Sequence, residues 1–121
     1  WTIRQLVHHI ADSHINAYVR TKLALSENNP TIKPYEENDW ALMQDTVLLP
    51  LNVSVQLLDL IHMRWICILE NLSEKELEKT YFHPALNKSI SLKRMLCMYH
   101  WHGNHHIAQI KQALEKKFQE E

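Results

Sequence analysis

The chain has 121 residues, 45% of them hydrophobic, which is enough to build one core but leaves little room for a second domain. Thirteen basic and fourteen acidic side chains give a formal net charge of -1, so there is no strong basic field to attract phosphates or anionic lipid. We therefore predict a single domain over residues 1–121 that binds neither nucleic acid nor membranes. One glycine and four prolines are typical of a mainly helical chain with few tight turns.

Targeting and cross-linking signals are also missing from the sequence. No apolar stretch approaches the roughly 18 uninterrupted residues of a membrane span, and no signal segment opens the chain. Cys67 and Cys97 lie in apolar helical patterns, where a reduced thiol usually serves as a small hydrophobic side chain. We expect a soluble cytoplasmic protein without disulfides. Because Trp1 already stands within a helix-start pattern, we also expect further residues upstream.

The first predicted helix runs from about Thr2 to Ser26. Thr2-x-x-Gln5 is a capping box, and apolar residues follow it at a spacing of three to four. Asn28-Asn29-Pro30 ends this helix. Residues 30–38 are predicted to form an irregular loop and residues 39–44, around Trp40, one or two helical turns. A connection of this length can carry function.

The second long helix is predicted from Pro50 to about Asn71, because proline is tolerated in the first turn of a helix. It carries one apolar stripe, made of Val53, Leu57, Leu60, Ile61, Trp65, Ile68 and Leu69. Ser73-x-x-Glu76 caps a short third element. Residues 80–82 and 89–90 are predicted to pair weakly as a hairpin.

The last predicted helix begins after Ser91, which can cap it. Its inner face is predicted to contain Leu92, Met95, Leu96, Tyr99, His102, Gly103, His106, Ile110, Ala113, Leu114 and Phe118. The sequence thus predicts three long helices, whereas an up-and-down bundle closes most easily with four. We expect the fourth to come from upstream sequence or from a partner.

Histidines suggest a metal site. Four of the nine histidines lie in residues 100–106, and His102 and His106 have the i, i+4 spacing that puts two imidazoles on one helix face. Catalytic zinc commonly takes three protein ligands and keeps a fourth position open. His9, beside Leu6 and Ile10, is the best candidate for the third ligand; spacing alone leaves His8 and His14 possible.

The ordinary alternative is that these histidines form hydrogen bonds within the core. A lone buried histidine usually does so, but a pair on an apolar stripe favours a metal, which takes one nitrogen from each ring. The segment lacks the H-E-x-x-H pattern of zinc proteases, so a thermolysin-like mechanism is not supported. Further candidates are residues that could orient the ligands or accommodate a metal-bound group (Asp12, Asn16, Gly103 and Asn104) and residues that could meet a substrate carboxylate (Lys33 and Arg64).

Three segments carry a family resemblance: WTIRQLVHHIADSH at residues 1–14, NPTIKPY at 29–35 and YHWHGNHH at 99–106. They resemble the YfiT branch of the DinB superfamily over essentially the whole chain. The resemblance implies an all-α four-helix bundle, with its N-terminal helix apparently missing from this chain. It also implies one divalent metal, zinc or nickel, held by His9, His102 and His106.

The same resemblance implies two enzymatic functions. The first is transfer of a low-molecular-weight thiol, bacillithiol, to an electrophilic substrate, and the second is metal-dependent hydrolysis of an amide or ester. The absence of a dedicated glutamate beside the ligands favours thiol transfer; Asp12 is the nearest carboxylate by sequence for a hydrolase. A non-catalytic metal-bound scaffold is the third possibility. We expect a homodimer.

Overall fold

The structure is a computed structural model that describes residues 1–100. Over this range it contains the helices α1 (Ile3–Ser26), α2 (Glu37–Trp40), α3 (Gln44–Leu48), α4 (Leu51–Glu70) and α5 (Glu74–Leu77). The hairpin strands β1 (Thr80–His83) and β2 (Lys88–Ser91) follow. Residues 92–100 are again helical and are called α6 here. The predicted mainly helical fold is confirmed.

Helix α1 begins as its sequence predicts. The Gln5 backbone N–H donates to Thr2 Oγ1 over 3.1 Å, and the Thr2 N–H donates to Gln5 Oε1 over 2.8 Å, so both halves of the capping box are formed. The helix packs against α4, where the buried Trp65 indole N–H donates to the buried Thr21 hydroxyl over 3.0 Å. This bond satisfies two polar groups that burial would otherwise leave unpaired.

The apolar stripe predicted for α4 is only partly correct. Ile61, Trp65, Ile68 and Leu69 pack in the core, whereas Val53, Leu57 and Leu60 are exposed. The buried face instead begins at Ser54, whose hydroxyl meets the His8 ring. A polar pair therefore occupies the interface at the start of α4, and the helix turns its first apolar residues toward solvent.

Two further features of α4 and α6 differ from expectation. By length and composition alone, α4 could cross a bilayer, because its mean hydropathy is 1.2. The sequence prediction of no membrane span considered only uninterrupted apolar stretches, and Asp59 and Arg64 interrupt the apolar sequence of α4. One helix of this kind is weak evidence for a membrane span. Cys67 and Cys97 are exposed, so the prediction that they serve as small core residues is wrong.

The hairpin is confirmed and is more extensive than predicted. Strands β1 and β2 pair antiparallel from Thr80↔Ser91 to His83↔Lys88, and the turn contains Asn87 at φ 51°, a conformation that asparagine tolerates better than most residues. On its other edge β1 bridges the segment after α1: Ile32 N–H donates to the Phe82 carbonyl over 3.0 Å. The hairpin thus fixes the beginning of the connection between α1 and α4.

Helix α6 starts at the predicted cap and packs on α1. The Arg94 N–H donates to Ser91 Oγ over 3.1 Å, and Leu92 and Met95 are fully buried. Farther along, the Tyr99 hydroxyl donates to the Ser13 carbonyl over 3.1 Å. This contact fixes the position of α6 against the middle of α1.

The connection from α1 to α4 holds more helix than the sequence indicated. The predicted turns at residues 39–44 correspond to α2, which starts two residues earlier, and α3 follows as a separate short helix. Apart from these helices and the bridge at Thr31, the segment is extended or turn-like. It passes alongside α1 and forms one wall of the cleft described below.

Candidate functional site

Of the three predicted metal ligands, His9 lies within the described residues. It is buried in α1 with 8% of its surface exposed, and the Trp1 ring contacts it edge-on at a centroid distance of 4.8 Å. His102 and His106 lie outside the described residues, as do Gly103 and Asn104. Within residues 1–100, no group of three or more histidine, cysteine or acidic side chains comes together in metal-binding geometry.

The neighbouring His8, which spacing alone also left possible as a ligand, forms hydrogen bonds within the fold. Its Nδ1 lies 2.5 Å from Ser54 Oγ and its Nε2 lies 3.1 Å from the Leu49 carbonyl oxygen. Since a carbonyl only accepts, Nε2 carries a proton and donates it, whereas the Ser54 hydroxyl can either donate to Nδ1 or accept from it. Both ring nitrogens are therefore engaged in joining α1 to the start of α4.

His14, the other alternative, pairs with a histidine that the sequence did not single out. His62 Nε2 on α4 lies 2.6 Å from His14 Nδ1, and the Trp65 and Tyr99 rings meet the His14 ring edge-on at 5.7 and 5.6 Å. The aromatic contacts hold the pair in place between α1, α4 and α6. Sequence periodicity puts His62 on α4, but it carries no signal for this partner on α1.

Asp12, one turn beyond His9, has an unusual environment for a carboxyl group. Its pKa is raised from 3.8 to about 6, first because burial disfavours the charged form and second because Asp45 repels it; His8 opposes the shift. Such a pKa suits a group that exchanges protons near neutrality. Asn16, another residue predicted to be able to orient the ligands, donates its side-chain amide to the Asp12 backbone carbonyl over 2.8 Å.

A cleft of about 550 Å³ lies between α1 and residues 33–43, and we call it the Trp40 cleft. The Tyr35 and Trp40 rings form one wall, with centroids 4.4 Å apart and planes tilted by 44°. The Tyr35 hydroxyl is buried. Burial, and then the nearby Glu37 carboxylate, raise the pKa of this phenol, so it stays protonated.

The two cations proposed to meet a substrate lie in different places. Lys33 lines the Trp40 cleft. Arg64 instead lies over the Tyr18 ring at 5.3 Å, and Lys22 lies over the same ring at 5.0 Å. Arg64 is thus on the outer side of the α1–α4 pair. Of these two cations, only Lys33 can meet a ligand that lies next to the face of α1 that carries Asp12 and Asn16.

The chain is similar to a known protein family. Residues 1–110 match the family model of the DinB superfamily. A relative from Halalkalibacterium halodurans, named "Putative metal-dependent hydrolase BH0277", is 49% identical over 94% of this chain and 66% of its own length. A relative of the same descriptive name from Oceanobacillus iheyensis is 46% identical over 97% of this chain and 67% of its own length.

A solved structure gives the fold. It is described as "YfiT from Bacillus subtilis is a probable metal-dependent hydrolase with an unusual four-helix bundle topology", and it matches 97% of this chain and 67% of its own with a TM-score of 0.93 and 39% identity. The chain therefore spans about two thirds of the length of these relatives. The four-helix-bundle fold class predicted from the sequence is confirmed, and the chain belongs to the DinB superfamily.

Proposed function

We propose that His9, His102 and His106 bind one divalent cation, zinc or nickel, and that the protein uses it to activate a nucleophile. The observation that carries the proposal is the buried imidazole of His9, which faces inward from α1. A buried neutral imidazole is a suitable metal ligand. The contact between Tyr99 and Ser13 supports the same set, because Tyr99 precedes His102 by three residues in the sequence and Ser13 follows His9 by four.

The reaction we propose is transfer of a low-molecular-weight thiol, bacillithiol, to an electrophilic substrate. A bound divalent cation supplies the positive charge that favours the ionised form of a thiol or of water. We assign the role of proton acceptor to Asp12, because it follows His9 by three residues on the same helix and has a pKa of about 6. A free thiol has a pKa of about 8.5 and free water one of about 15.7. A bound cation would lower both values, and the thiol, which starts from the lower one, would be the group more readily ionised.

Hydrolysis of an amide or ester is the second candidate, and two observations favour it. The relatives from H. halodurans and O. iheyensis carry hydrolase names. In addition, the half-buried Asp12 supplies the carboxylate base whose absence had weighed against a hydrolase. The two reactions use the same residues and differ in the nucleophile.

The experiment is a paired assay on zinc-loaded and nickel-loaded protein. We expect conjugation of the electrophile 1-chloro-2,4-dinitrobenzene only when bacillithiol is added, and loss of that activity on chelation or in His106→Ala. His105→Ala, the neighbouring histidine off the predicted inner face, is the matched control and should retain activity. Cleavage of 4-nitrophenyl acetate without thiol, lost in His106→Ala alone, would assign the hydrolase. Absence of both activities in protein that binds metal would contradict the enzymatic proposal and favour a scaffold.

A further inference from the structure

The Trp40 cleft lies on the same face of α1 as His9. Asp12 and Asn16 follow His9 by three and seven residues, which are the spacings of one helix face, and Asn16 lines the cleft. At 1.5 Å per residue, Asn16 lies about 10 Å along the helix from His9. A small organic molecule in the cleft could therefore extend one end toward the buried imidazole.

The wall of the cleft is suited to a flat group. Tyr35 and Trp40 are both half-buried, and their rings contact each other at 4.4 Å, so neither ring is free to rotate independently of its neighbour. The Trp40 backbone is also held, because its N–H donates to the Glu36 carbonyl over 3.0 Å and the Thr46 hydroxyl donates to its carbonyl over 3.3 Å. A preformed aromatic surface binds another ring without much loss of side-chain entropy.

The rim of the cleft selects by charge. Lys33, Glu36 and Asp39 line it and are all exposed. One positive and two negative side chains give the rim a net charge of -1, so a carboxylate ligand is repelled on balance and an ammonium group is attracted. Because these charges lie in solvent, salt should weaken the selection.

We infer that the Trp40 cleft binds a flat aromatic group that is neutral or positively charged, as the non-reacting part of a substrate whose reacting end lies toward His9. The position of the reacting end rests on the proposed function. Binding of the ring does not, since it depends on Trp40, Tyr35 and the rim alone. The volume of about 550 Å³ is within the range of small-molecule sites.

The test uses benzylamine, benzamide and benzoate, which share a ring and differ in charge. We expect ligand-observed NMR on the purified chain to show benzylamine binding at least fivefold more tightly than benzoate, with benzamide between them. The difference in affinity between benzylamine and benzoate should be smaller in 0.5 M sodium chloride. Trp40→Leu should weaken benzylamine and benzamide binding at least fivefold. Leu48→Ala, an exposed apolar position on α3 outside the cleft, should leave both unchanged.

A second variant keeps the inference testable if Trp40→Leu perturbs folding. Asp39→Lys changes only an exposed rim charge and should make benzoate the tightest of the three probes. Tightest binding of benzoate to the unmodified chain, or affinities that neither Trp40→Leu nor Asp39→Lys alters, would overturn the inference. If the ring binds but neither thiol transfer nor hydrolysis is detected, the inference about the cleft stands and the proposed function is contradicted.

Discussion

At the scale of single residues, Asp12 shows how environment assigns chemistry to a common side chain. The sequence offers fourteen acidic residues, and Asp12 was a candidate only because it is near His9 along the chain. Asp45, whose charge adds to the rise in the pKa of Asp12, lies on α3, and the burial that causes most of the rise depends on how α1 and the connection pack. Neither can be deduced from helical periodicity, so the sequence could nominate Asp12 but could not distinguish it chemically.

The raised pKa of Asp12 predicts a pH-dependent stability. The folded chain holds this proton up to about pH 6, whereas the unfolded chain loses it near pH 3.8; the folded state is therefore favoured at low pH, and this contribution is lost as the pH rises through about 6. Asparagine mimics the protonated acid at every pH. We expect Asp12→Asn to raise the midpoint of thermal unfolding at pH 7 to 8 and to have little effect at pH 4. Asp59→Asn, an exposed change on α4, is the control, and a shift of equal size at both pH values would contradict the argument.

At the scale of elements, the sequence correctly predicted features that depend on residues close together in the chain. The capping box of α1, the Ser91 cap of α6 and the hairpin were all predicted from short patterns, and the structure confirms them. The α4 face was misread because seven apolar positions form a wide stripe, and nothing local tells which part faces α1. The bonds from Ser54 to His8 and from Trp65 to Thr21, which join distant segments, mark the face of α4 that meets α1.

The observed rotation of α4 predicts very different costs for two large-to-small substitutions. Trp65 is 5% exposed and Leu60 is 62% exposed. Trp65→Ala should lower the free energy of unfolding by about 3–5 kcal/mol, because it leaves a cavity and removes the bond to Thr21. Leu60→Ala should change it by no more than about 0.5 kcal/mol. Denaturant unfolding of both variants measures this, and equal losses would show that α4 is rotated differently.

At the scale of the whole molecule, the proposed ligands come from opposite ends of the chain. His9 is near the start, and His102 and His106 are near the end, so a cation held by all three would join the first helix to the last. The sequence could nominate this set because helical spacing and the family resemblance agree on the last two. It could not choose the third ligand by spacing alone. In the structure His8 bonds to Ser54 and His14 to His62, and His9 stays the proposed third ligand because of the family resemblance.

A cation bound in this way should stabilise the folded chain. Binding to the native state alone contributes about 2.7 kcal/mol when the free ligand is at 100 times its dissociation constant, which corresponds to a rise on the order of 10 °C in the unfolding midpoint. We expect zinc to produce such a rise in the unmodified chain and in His105→Ala, with one equivalent bound by elemental analysis. His106→Ala should show neither the rise nor the full equivalent. A full rise in the unfolding midpoint and a full equivalent of zinc in His106→Ala would show that His106 is not a ligand.

The exposure of Cys67 and Cys97 has a practical consequence. One thiol is on the outer side of α4 and the other on α6, so both accept thiol-reactive spectroscopic labels without displacing core side chains. Two spin labels at these positions would report the separation of the two helices as a distance distribution in solution. Adding zinc during such a measurement would show directly whether occupying the histidines moves α6 relative to α4.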